Sequence, residues 1–291
     1  LSQRDQTTDL VFWKGYMEGY NHSNYLPCVY PRRQNQVTSS RSAKWSVSIS
    51  TELLKDIEQL SVHLGVMQSA VFLAALGFLC SKYSGSSDLL IGLLLNGRPP
   101  EILGSDLMVG MFMNTLPFRS NMCSESTVEE LILKAHADQL RITHHQYVSA
   151  KDIARICGEP NESRLVQIIL DNKIALTRDR SDDPQIRYGF ATPEVQKEDA
   201  TSMAEQSVPF HCNLERTSSG AAFTVTYDEL RFDASAIPGF CDRYVSILKQ
   251  FCSSPEKKLD SISILLQEDL LISESYQSGS DIPLETDQTV L

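Results

Sequence analysis

Two apolar runs close together in the sequence place the strongest limits on how the chain can fold. The first, Leu89-Leu-Ile-Gly-Leu-Leu-Leu95, has no polar residue and follows a cluster of turn residues. The second extends from Leu107 to Phe118 and is interrupted by polar side chains only at Asn114 and Thr115. An unbroken apolar run between turn residues is typical of a strand that is buried on both faces. We therefore expect each run to form such a strand.

Segments with the residue periodicity of helices or strands lie on both sides of these two runs. Trp45, Val47 and Ile49 alternate with polar residues, which predicts a half-buried strand. Ser50 can cap the helix that follows, and Ser126-Thr-Val-Glu129 offers a capping box for a later one. The predicted order is strand, two helices, two buried strands, helix, strand, long loop, hairpin and helix. This order predicts an α/β fold, a mixed β-sheet with helices packed on it.

The charge balance excludes several classes of partner. The 291 residues contain 26 Lys and Arg against 37 Asp and Glu, a formal net charge of −11. No net positive field draws such a chain to nucleic acid or to an anionic membrane. The seven cysteines include no CxxC pair, and the N-terminus has no signal-peptide pattern. We expect a cytoplasmic protein with no metal site, no nucleic-acid partner and no membrane partner.

Three local patterns are candidate sites. The segment from Gly92 to Pro99 has the glycine spacing of a phosphate-binding loop but lacks its Lys and Ser/Thr, so tight-turn glycines are the preferred interpretation. His144 and His145 end a predicted helix, where adjacent side chains point about 100° apart and cannot share one site. Asn114-Thr115 is the best candidate, because polar groups inside a buried strand must be hydrogen-bonded or face a cavity.

The segment around Asn114 also carries a family resemblance. Val109-Gly-Met-Phe-Met-Asn-Thr-Leu-Pro-Phe-Arg119 resembles the "hydrophobic-G-x-F-V-N-T-L-x-x-R" motif of condensation domains of nonribosomal peptide synthetases. Upstream, Phe12–Gly19 is similar to the family's "YWkeqLaG", and Tyr83–Arg98 is similar to "YSGQxDxxxG…xGR". Three downstream motifs are also similar: "HQDxPFE" to His145-Gln146-Tyr-Val148, "PLFQVMF" to Arg164-Leu-Val-Gln167-Ile-Ile, and "YxxxLFD" to Tyr227-Asp-Glu-Leu-Arg-Phe232-Asp233.

The sequence departs from the family pattern at three places. Ser149-Ala150-Lys151 stands where "HQDxPFE" has Pro-Phe-Glu, and Pro209-Phe210-His211-Cys212 stands where the family has "KFDL". The catalytic HHxxxDG of the family's N-terminal lobe has no counterpart, since His144-His145 differs in position and lacks the Asp-Gly. The resemblance therefore implies the C-terminal lobe alone, with a chloramphenicol-acetyltransferase-like fold and no catalytic residue of its own.

The resemblance also implies a domain organisation. Residues 44–272 are expected to form the lobe, and residues 1–43 a helix and extended connection that lead into it. Residues 273–291 are expected to be a linker toward an adenylation domain. The absence of an initial Met at Leu1 and the apolar Val290-Leu291 are interpreted as the ends of a piece of a longer chain.

The implied reaction is amide formation between a donor thioester and an acceptor amine, both carried on phosphopantetheine arms of carrier domains. The expected partners are the N-terminal lobe, the carrier domains and the adenylation domain, with no cofactor bound directly. The acceptor side of the substrate tunnel is expected at Gly110, Phe112, Asn114 and Thr115. The other motif residues, with an expected structural role, are Gly92, Gly97, Arg98, Arg119, His145, Gln146, Gln167, Phe232 and Asp233.

Some expectations and alternatives remain open from the sequence. Gly92–Arg98 and part of 177–206 are expected to contact the other lobe, and Arg32, Arg33 and Arg41 could form a basic patch for acidic carrier domains. The weak match to "HQDxPFE" favours an alternative class, a non-catalytic scaffold or carrier-docking module. Heterocyclisation and epimerisation are the alternative chemistries.

Overall fold

A computed structural model describes residues 7–20, 41–98, 102, 104, 105, 107–110, 112–159, 165–174 and 210–271. Its helices and strands follow the order predicted from the sequence. They are α1 (Thr7–Met17), β1 (Ser42–Ser50), α2 (Thr51–Leu64), α3 (Gln68–Ser84), β2 (Asp88–Leu95), β3 (Asn114–Asn121), α4 (Val128–His144), α5 (Ala150–Ile156), β4 (Ile168–Asn172), β5 (Phe210–Thr217), β6 (Gly220–Asp228) and α6 (Ala236–Ser253). The short helix α5 is the one element in this series that the sequence patterns did not indicate.

The strands form one six-stranded mixed sheet in the order β1-β6-β5-β4-β2-β3. The pairs β1·β6, β5·β6 and β2·β3 are antiparallel, whereas β2·β4 and β4·β5 are parallel. The predicted hairpin is β5·β6, in which Phe210 pairs with Tyr227 and Thr217 with Gly220. The predicted fold class, a mixed sheet with helices packed on it, is confirmed.

One face of the sheet, called the helix face below, packs on α2, α3 and α6. The Phe223 ring of β6 lies 4.1 Å from the Tyr244 ring of α6, and the Tyr244 hydroxyl donates to the Phe72 carbonyl of α3 at 3.0 Å. At β3, a Cβ added to Gly77 of α3 would lie 2.5 Å from the Ser120 hydroxyl. The near-continuous burial of α3 from Ala70 to Cys80 follows, because this helix lies between the sheet and its neighbouring helices.

The opposite face, called the second face below, carries the alternate residues of the same strands. A Cβ added to Gly92 of β2 would meet Thr115 of β3 at 2.9 Å and Ile169 of β4 at 3.0 Å, so these side chains share that face. Strand alternation and register add Asp171, Asn213, Thr224 and Ser46 to the same face. The second face is therefore much more polar than the helix face over β4, β5, β6 and β1.

The long apolar run from Leu107 was predicted to be a buried strand throughout, and this prediction is wrong for its first half. β3 begins at Asn114, where its pairing with Leu95 of β2 starts. Most of the described residues between 107 and 113 are exposed, with Val109 fully exposed and Leu107 and Met113 more than half exposed. β2 ends at Leu95, so within the described residues no neighbouring strand extends far enough to pair with residues 107–110.

The helix caps confirm one prediction and correct another. The Ser50 hydroxyl accepts from the Leu53 amide at the start of α2, as predicted. The capping box of α4 is formed by Thr127 and Glu130, one residue later than the predicted Ser126 and Glu129. Ser126 instead uses its carbonyl to accept from Leu259, which sets the start of α4 by a contact distant in sequence.

Residues 254–271, called the C-terminal strap below, follow α6 and lie across the ends of the helices. The Lys257 and Pro255 carbonyls accept from the first-turn amides Val128 and Glu129 of α4, at 3.0 and 2.8 Å. Further along, Arg243 of α6 binds both carboxylate oxygens of Asp269, at 2.7 and 2.8 Å. The strap is therefore fixed at both ends to the helical layer.

Several predictions lie outside the described residues. They are the long loop 177–206, the linker 273–291, and Arg32 and Arg33 of the basic patch. Within the described part, no single helix is long and apolar enough to cross a membrane. Helices α2 and α3 reach the required length and hydropathy only when they are taken together, and they are bent by 105° relative to each other.

We predict that Gly92→Ala destabilises the fold, because the added methyl would lie 2.6 Å from Val166 Cγ1. Overpacking of this kind costs about 1–3 kcal/mol of the free energy of unfolding. Urea denaturation measures the change. The matched control is Gly15→Ala on α1, where nothing lies within 4 Å of the added methyl, and the gain in helix propensity is about 0.5–1 kcal/mol. Equal effects of the two substitutions would contradict the packing argument.

A second prediction concerns the pH dependence of the C-terminal strap. The Leu266 amide and the Arg243 guanidinium lower the pKa of Asp269 from its ordinary value. The ionised form thus stabilises the folded strap above the unfolded pKa of about 3.9, and this stabilisation is lost as the pH falls through the lower folded value. We expect hydrogen exchange of residues 262–271, corrected for the intrinsic rate, to rise only below that pH. Asp269→Asn should raise it at neutral pH, while the exposed Asp260→Asn should not.

Candidate functional site

Three of the family-like segments meet at the guanidinium of Arg119, on β3. Arg119 forms a bidentate ion pair with Asp88 of β2, at 2.8 and 2.7 Å, and donates to the Tyr16 and Glu18 carbonyls at the end of α1. Its backbone amide also donates to the Tyr16 hydroxyl at 2.9 Å. Arg119 was predicted as a structural motif residue, but its partners Asp88 and Tyr16 were not. The negative charge of Asp88 and the position of both residues in family-like motifs were the available signals.

Helix α1 also holds the segment that follows α4. The imidazole Nδ1 of His145 lies 2.7 Å from the buried carboxylate of Asp9, and its ring stacks on Phe12 at 4.0 Å. The indole nitrogen of Trp13 donates to the His145 carbonyl at 3.0 Å. His145 thus connects two segments of the fold, and His144, the next helix residue toward the N-terminus, is exposed. No pattern in the sequence indicates Asp9, which lies 136 residues away.

Asn114 is hydrogen-bonded into the same region. Its amide nitrogen donates to the carbonyls of Gln146 and Val148, at 2.8 and 3.0 Å. This satisfies the requirement that a polar group in a buried strand be paired. The amide of Asn114 therefore joins the start of β3 to the segment after α4, and Gln146 takes part through its backbone.

Thr115 has a different environment from its neighbour. Successive residues of a strand point to opposite faces, and Thr115 lies on the second face of the sheet with Gly92, Val166 and Ile169. Gly92 has room for no side chain here, which explains a glycine inside an apolar strand. Asn114 and Thr115 were predicted to line one tunnel together, whereas the structure directs their side chains to opposite sides of β3.

Gly97, Arg98 and Phe112 organise the segment between β2 and β3. Gly97 has a φ of +66°, and a Cβ there would lie 1.8 Å from the Phe112 carbonyl oxygen. Arg98 donates to the Ser105 and Met108 carbonyls, and its guanidinium lies 4.5 Å from the centre of the Phe112 ring. Gly110 is exposed near the Phe112 ring. These contacts hold an apolar loop at the surface. Gly97 and Arg98 therefore contact the backbone of this loop, and this structural role differs from that of a phosphate-binding loop.

The remaining predicted residues lie near β4 and before α6. Gln167 directly precedes β4 and is partly buried. Phe232 is buried against Phe210, with 4.9 Å between ring centres. The Asp233 carboxylate accepts from the amide and hydroxyl of Ser235, which shapes the turn into α6. Phe232 and Asp233 therefore have local structural roles.

Burial disfavours the thiolate form of several described cysteines. Burial raises the pKa of Cys241 to about 12 and that of Cys157 to about 11, and it also raises the pKa of the fully buried Cys212. Thiols of this kind stay protonated and are poor nucleophiles at neutral pH. No group of three His, Cys, Asp or Glu side chains that could hold a metal occurs within the described ranges.

One cavity of about 300 Å³ lies at the end of α3 beside the C-terminal strap. Lys82, Met122, Cys123 and Asp260 are among its lining residues, and none of the predicted site residues lines it. The candidate site is therefore the second face around Thr115, on the strand that Arg119 and Asn114 hold in place.

A model of the Condensation domain family matches residues 1–270 of this chain. Bacitracin synthase 3 of Bacillus licheniformis is 21% identical over 285 residues, which cover 97% of this chain and 4% of the relative. Surfactin synthase subunit 3 of Bacillus subtilis (strain 168) is 24% identical over 267 residues, which cover 91% of this chain and 20% of the relative. The chain thus spans a small part of the length of these relatives.

Solved structures with the same fold include domains of peptide synthetases. Holo-AB3403, a four-domain nonribosomal peptide synthetase, gives a TM-score of 0.71 at 16% identity, over 91% of this chain and 20% of that chain. The X-domain from teicoplanin biosynthesis gives 0.70 at 17% identity, over 90% and 58%. The first condensation domain of the calcium-dependent antibiotic synthetase gives 0.67 at 14% identity, over 89% and 54%. At these identities the similarity shows the fold.

We predict that Asn114→Ala lowers the free energy of unfolding by about 1–3 kcal/mol, because two carbonyls lose their donor. Asn114→Asp should be at least as damaging, since a carboxylate of the same shape cannot donate. The control is Asn121→Ala at the exposed end of β3, expected to change stability by less than about 0.5 kcal/mol. Thermal and urea unfolding measure all three. An Asp variant as stable as the original would disprove the donor role.

Proposed function

The chain belongs to the condensation-domain family of nonribosomal peptide synthetases, and we propose that it forms the acceptor-side lobe of an amide-forming domain. Residues 44–272 constitute this lobe in the proposal, residues 1–43 lead into it, and residues 273–291 link it to an adenylation domain. The match of the family model to residues 1–270 is the observation that carries the proposal.

Two further observations support a lobe that shares its active site with a second one. The chain covers 58% and 54% of two matched single-domain structures, so each contains a large additional part. The sequence of 291 residues contains no HHxxxDG motif. The catalytic histidine of the proposed reaction therefore comes from another lobe, and this chain is inactive by itself.

The proposed reaction joins a donor thioester to an acceptor amine. Both substrates arrive on phosphopantetheine arms of carrier domains, which turns a bimolecular encounter into a reaction between two positioned groups. The second lobe supplies the positioning histidine, and developing charge on the thioester oxygen requires hydrogen-bond donors nearby. This chain contributes a rigid wall, because Arg119 and Asn114 fix β3 at both ends.

Thr115 is the residue that we assign to the substrate side of this wall. Its side chain lies on the second face and packs closely over Gly92, where an added Cβ would lie 2.9 Å from the Thr115 methyl group. The exposed apolar residues Leu107, Val109 and Met113 lie in the adjoining loop, which supports the proposal that this loop contacts the other lobe. The described cysteines are free, in agreement with the proposed cytoplasmic setting.

The proposed function is tested by joining this chain to an N-terminal condensation lobe that carries HHxxxDG. Two carrier domains, one loaded with a donor and one with an acceptor, are mixed with either protein, and mass spectrometry detects the amide. We expect no product from the isolated chain and product from the joined protein. The control replaces the second histidine of the added motif by alanine and should give no product. Turnover by the isolated chain would contradict the two-lobe proposal.

The second candidate function is a non-catalytic docking module. The specific observation in its favour is the departure from "HQDxPFE", where Ser149 caps α5 by accepting from the Asp152 amide at 3.1 Å. A joined protein that binds loaded carriers in a pull-down experiment but forms no amide would favour this candidate over the enzyme.

A further inference from the structure

The two edge strands of the sheet, β3 and β1, differ in what lies beside them. Along β3, the Tyr16 hydroxyl of α1 accepts from the Arg119 amide, so this edge has a neighbour. β1 pairs with β6 on one side, and within the described ranges no strand pairs with its other side. An edge of this kind presents backbone donors and acceptors to which another chain can add a strand.

The hairpin β5·β6 indicates which backbone groups of β1 point away from the sheet. Thr217 and Gly220 pair across a tight turn, and the first and last residues of such a turn are hydrogen-bonded to each other. Bonded and non-bonded pairs alternate along an antiparallel ladder, so the odd-numbered residues of β6 bond to β1. The hydroxyls of Ser46 and Thr224 lie 3.0 Å apart, which agrees with a non-bonded pair, where side chains are close. The N–H and C=O groups of Ser46 and Ser48 therefore point outward.

The side chains of β1 leave this edge accessible. Ser46 and Ser48 are exposed, and Trp45 is 47% exposed. Trp45 is the only aromatic residue among the exposed large hydrophobic residues of the part that the structure describes. Charged side chains and prolines are the usual protection of an edge strand. The nine residues of β1 include no proline, and Lys44 is their one charged residue.

A second, antiparallel copy of β1 is complementary to this edge. When Ser46 faces Ser46 of the second copy, all nine residues of the strand are paired and the outward backbone groups of the two copies meet. Trp45 then faces Val47 of the second copy, an apolar pair on the helix face that covers the indole. Lys44 faces Ser48 of the second copy, so no like charges meet in this register.

We propose that the chain forms a symmetric dimer in which two β1 strands pair antiparallel around Ser46 and join the two sheets. Each copy contributes the same surface, as a two-fold axis requires. The proposal goes beyond the proposed function, because five strand spacings of about 4.8 Å separate β1 from β3 and leave the second face around Thr115 open. One paired strand per copy is a small interface, so the dimer is weak and its population depends on concentration.

Sedimentation velocity of the 291-residue chain tests the dimer, in a concentration series that extends to about 1 mM. We expect the mass to rise from one copy toward two. Added salt should strengthen the dimer, because it screens the repulsion between two chains of net charge −11 and leaves backbone pairing intact. A single copy at every concentration, or a dimer that salt weakens, overturns the proposal.

Charge variants at the two-fold axis test the register. Ser46→Lys and Ser46→Glu each place two like charges opposite one another, so each variant alone should dimerise about threefold more weakly, with an unchanged melting temperature. An equimolar mixture of the two variants should recover the lost affinity, because opposite charges then meet. The matched controls, Ser124→Lys and Ser124→Glu in the exposed loop after β3, should change nothing. A mixture that dimerises no better than the separate variants overturns the register.

Tryptophan fluorescence tests whether the indole of Trp45 becomes covered. The chain has two tryptophans, and Trp13 is fully buried, so acrylamide quenching reports on Trp45. Quenching should decrease as the concentration rises and the dimer forms. Equal quenching in the single copy and in the dimer places the interface elsewhere and overturns the assignment to β1.

Discussion

One guanidinium, that of Arg119, joins segments that are far apart in the sequence. It is mostly buried, and it binds a carboxylate of β2 and two carbonyls at the end of α1 at the same time. The planar fork of arginine makes this geometry possible, and lysine could not reproduce it. Because β3 is an edge strand, its outer side would otherwise present unpaired backbone groups. Arg119 brings α1 to that side, and the Tyr16 hydroxyl accepts from the strand.

The position of α1 then determines the segment after α4. Asp9, Phe12 and Trp13 all contact His145, so this histidine is fixed through its ring and its backbone. The next residues present two carbonyls to Asn114, at the opposite end of β3 from Arg119. Four of the family-like motifs, those at 12–19, 83–98, 109–119 and 145–148, are thus parts of one continuous set of contacts. Their common effect is to fix an edge strand in place, and the proposed function depends on such a fixed strand.

Asn114 and Thr115 have different roles because successive residues of a strand point to opposite faces. The side chain of Asn114 stabilises the fold through hydrogen bonds, whereas Thr115 lies on the second face of the sheet. The sequence could indicate that these two residues were unusual, because polar groups interrupted an apolar run. It could not indicate that they have different roles, since the partners of Asn114 lie more than thirty residues away. For the same reason the sequence missed Asp9 and placed the α4 cap one residue early, where Ser126 is bonded to Leu259.

The local patterns of the sequence by themselves determined the order of the elements, the hairpin and the fold class. These properties follow from side-chain periodicity and turn residues, which act over a few positions. Tertiary structure decided where the apolar run before Asn114 stops being a strand, because β2 ends at Leu95 and offers it no further partner. It also decided that one sheet face packs on helices while the other carries polar side chains over β4, β5, β6 and β1. Both outcomes depend on contacts between distant segments, and such contacts leave no periodic signal in a single sequence.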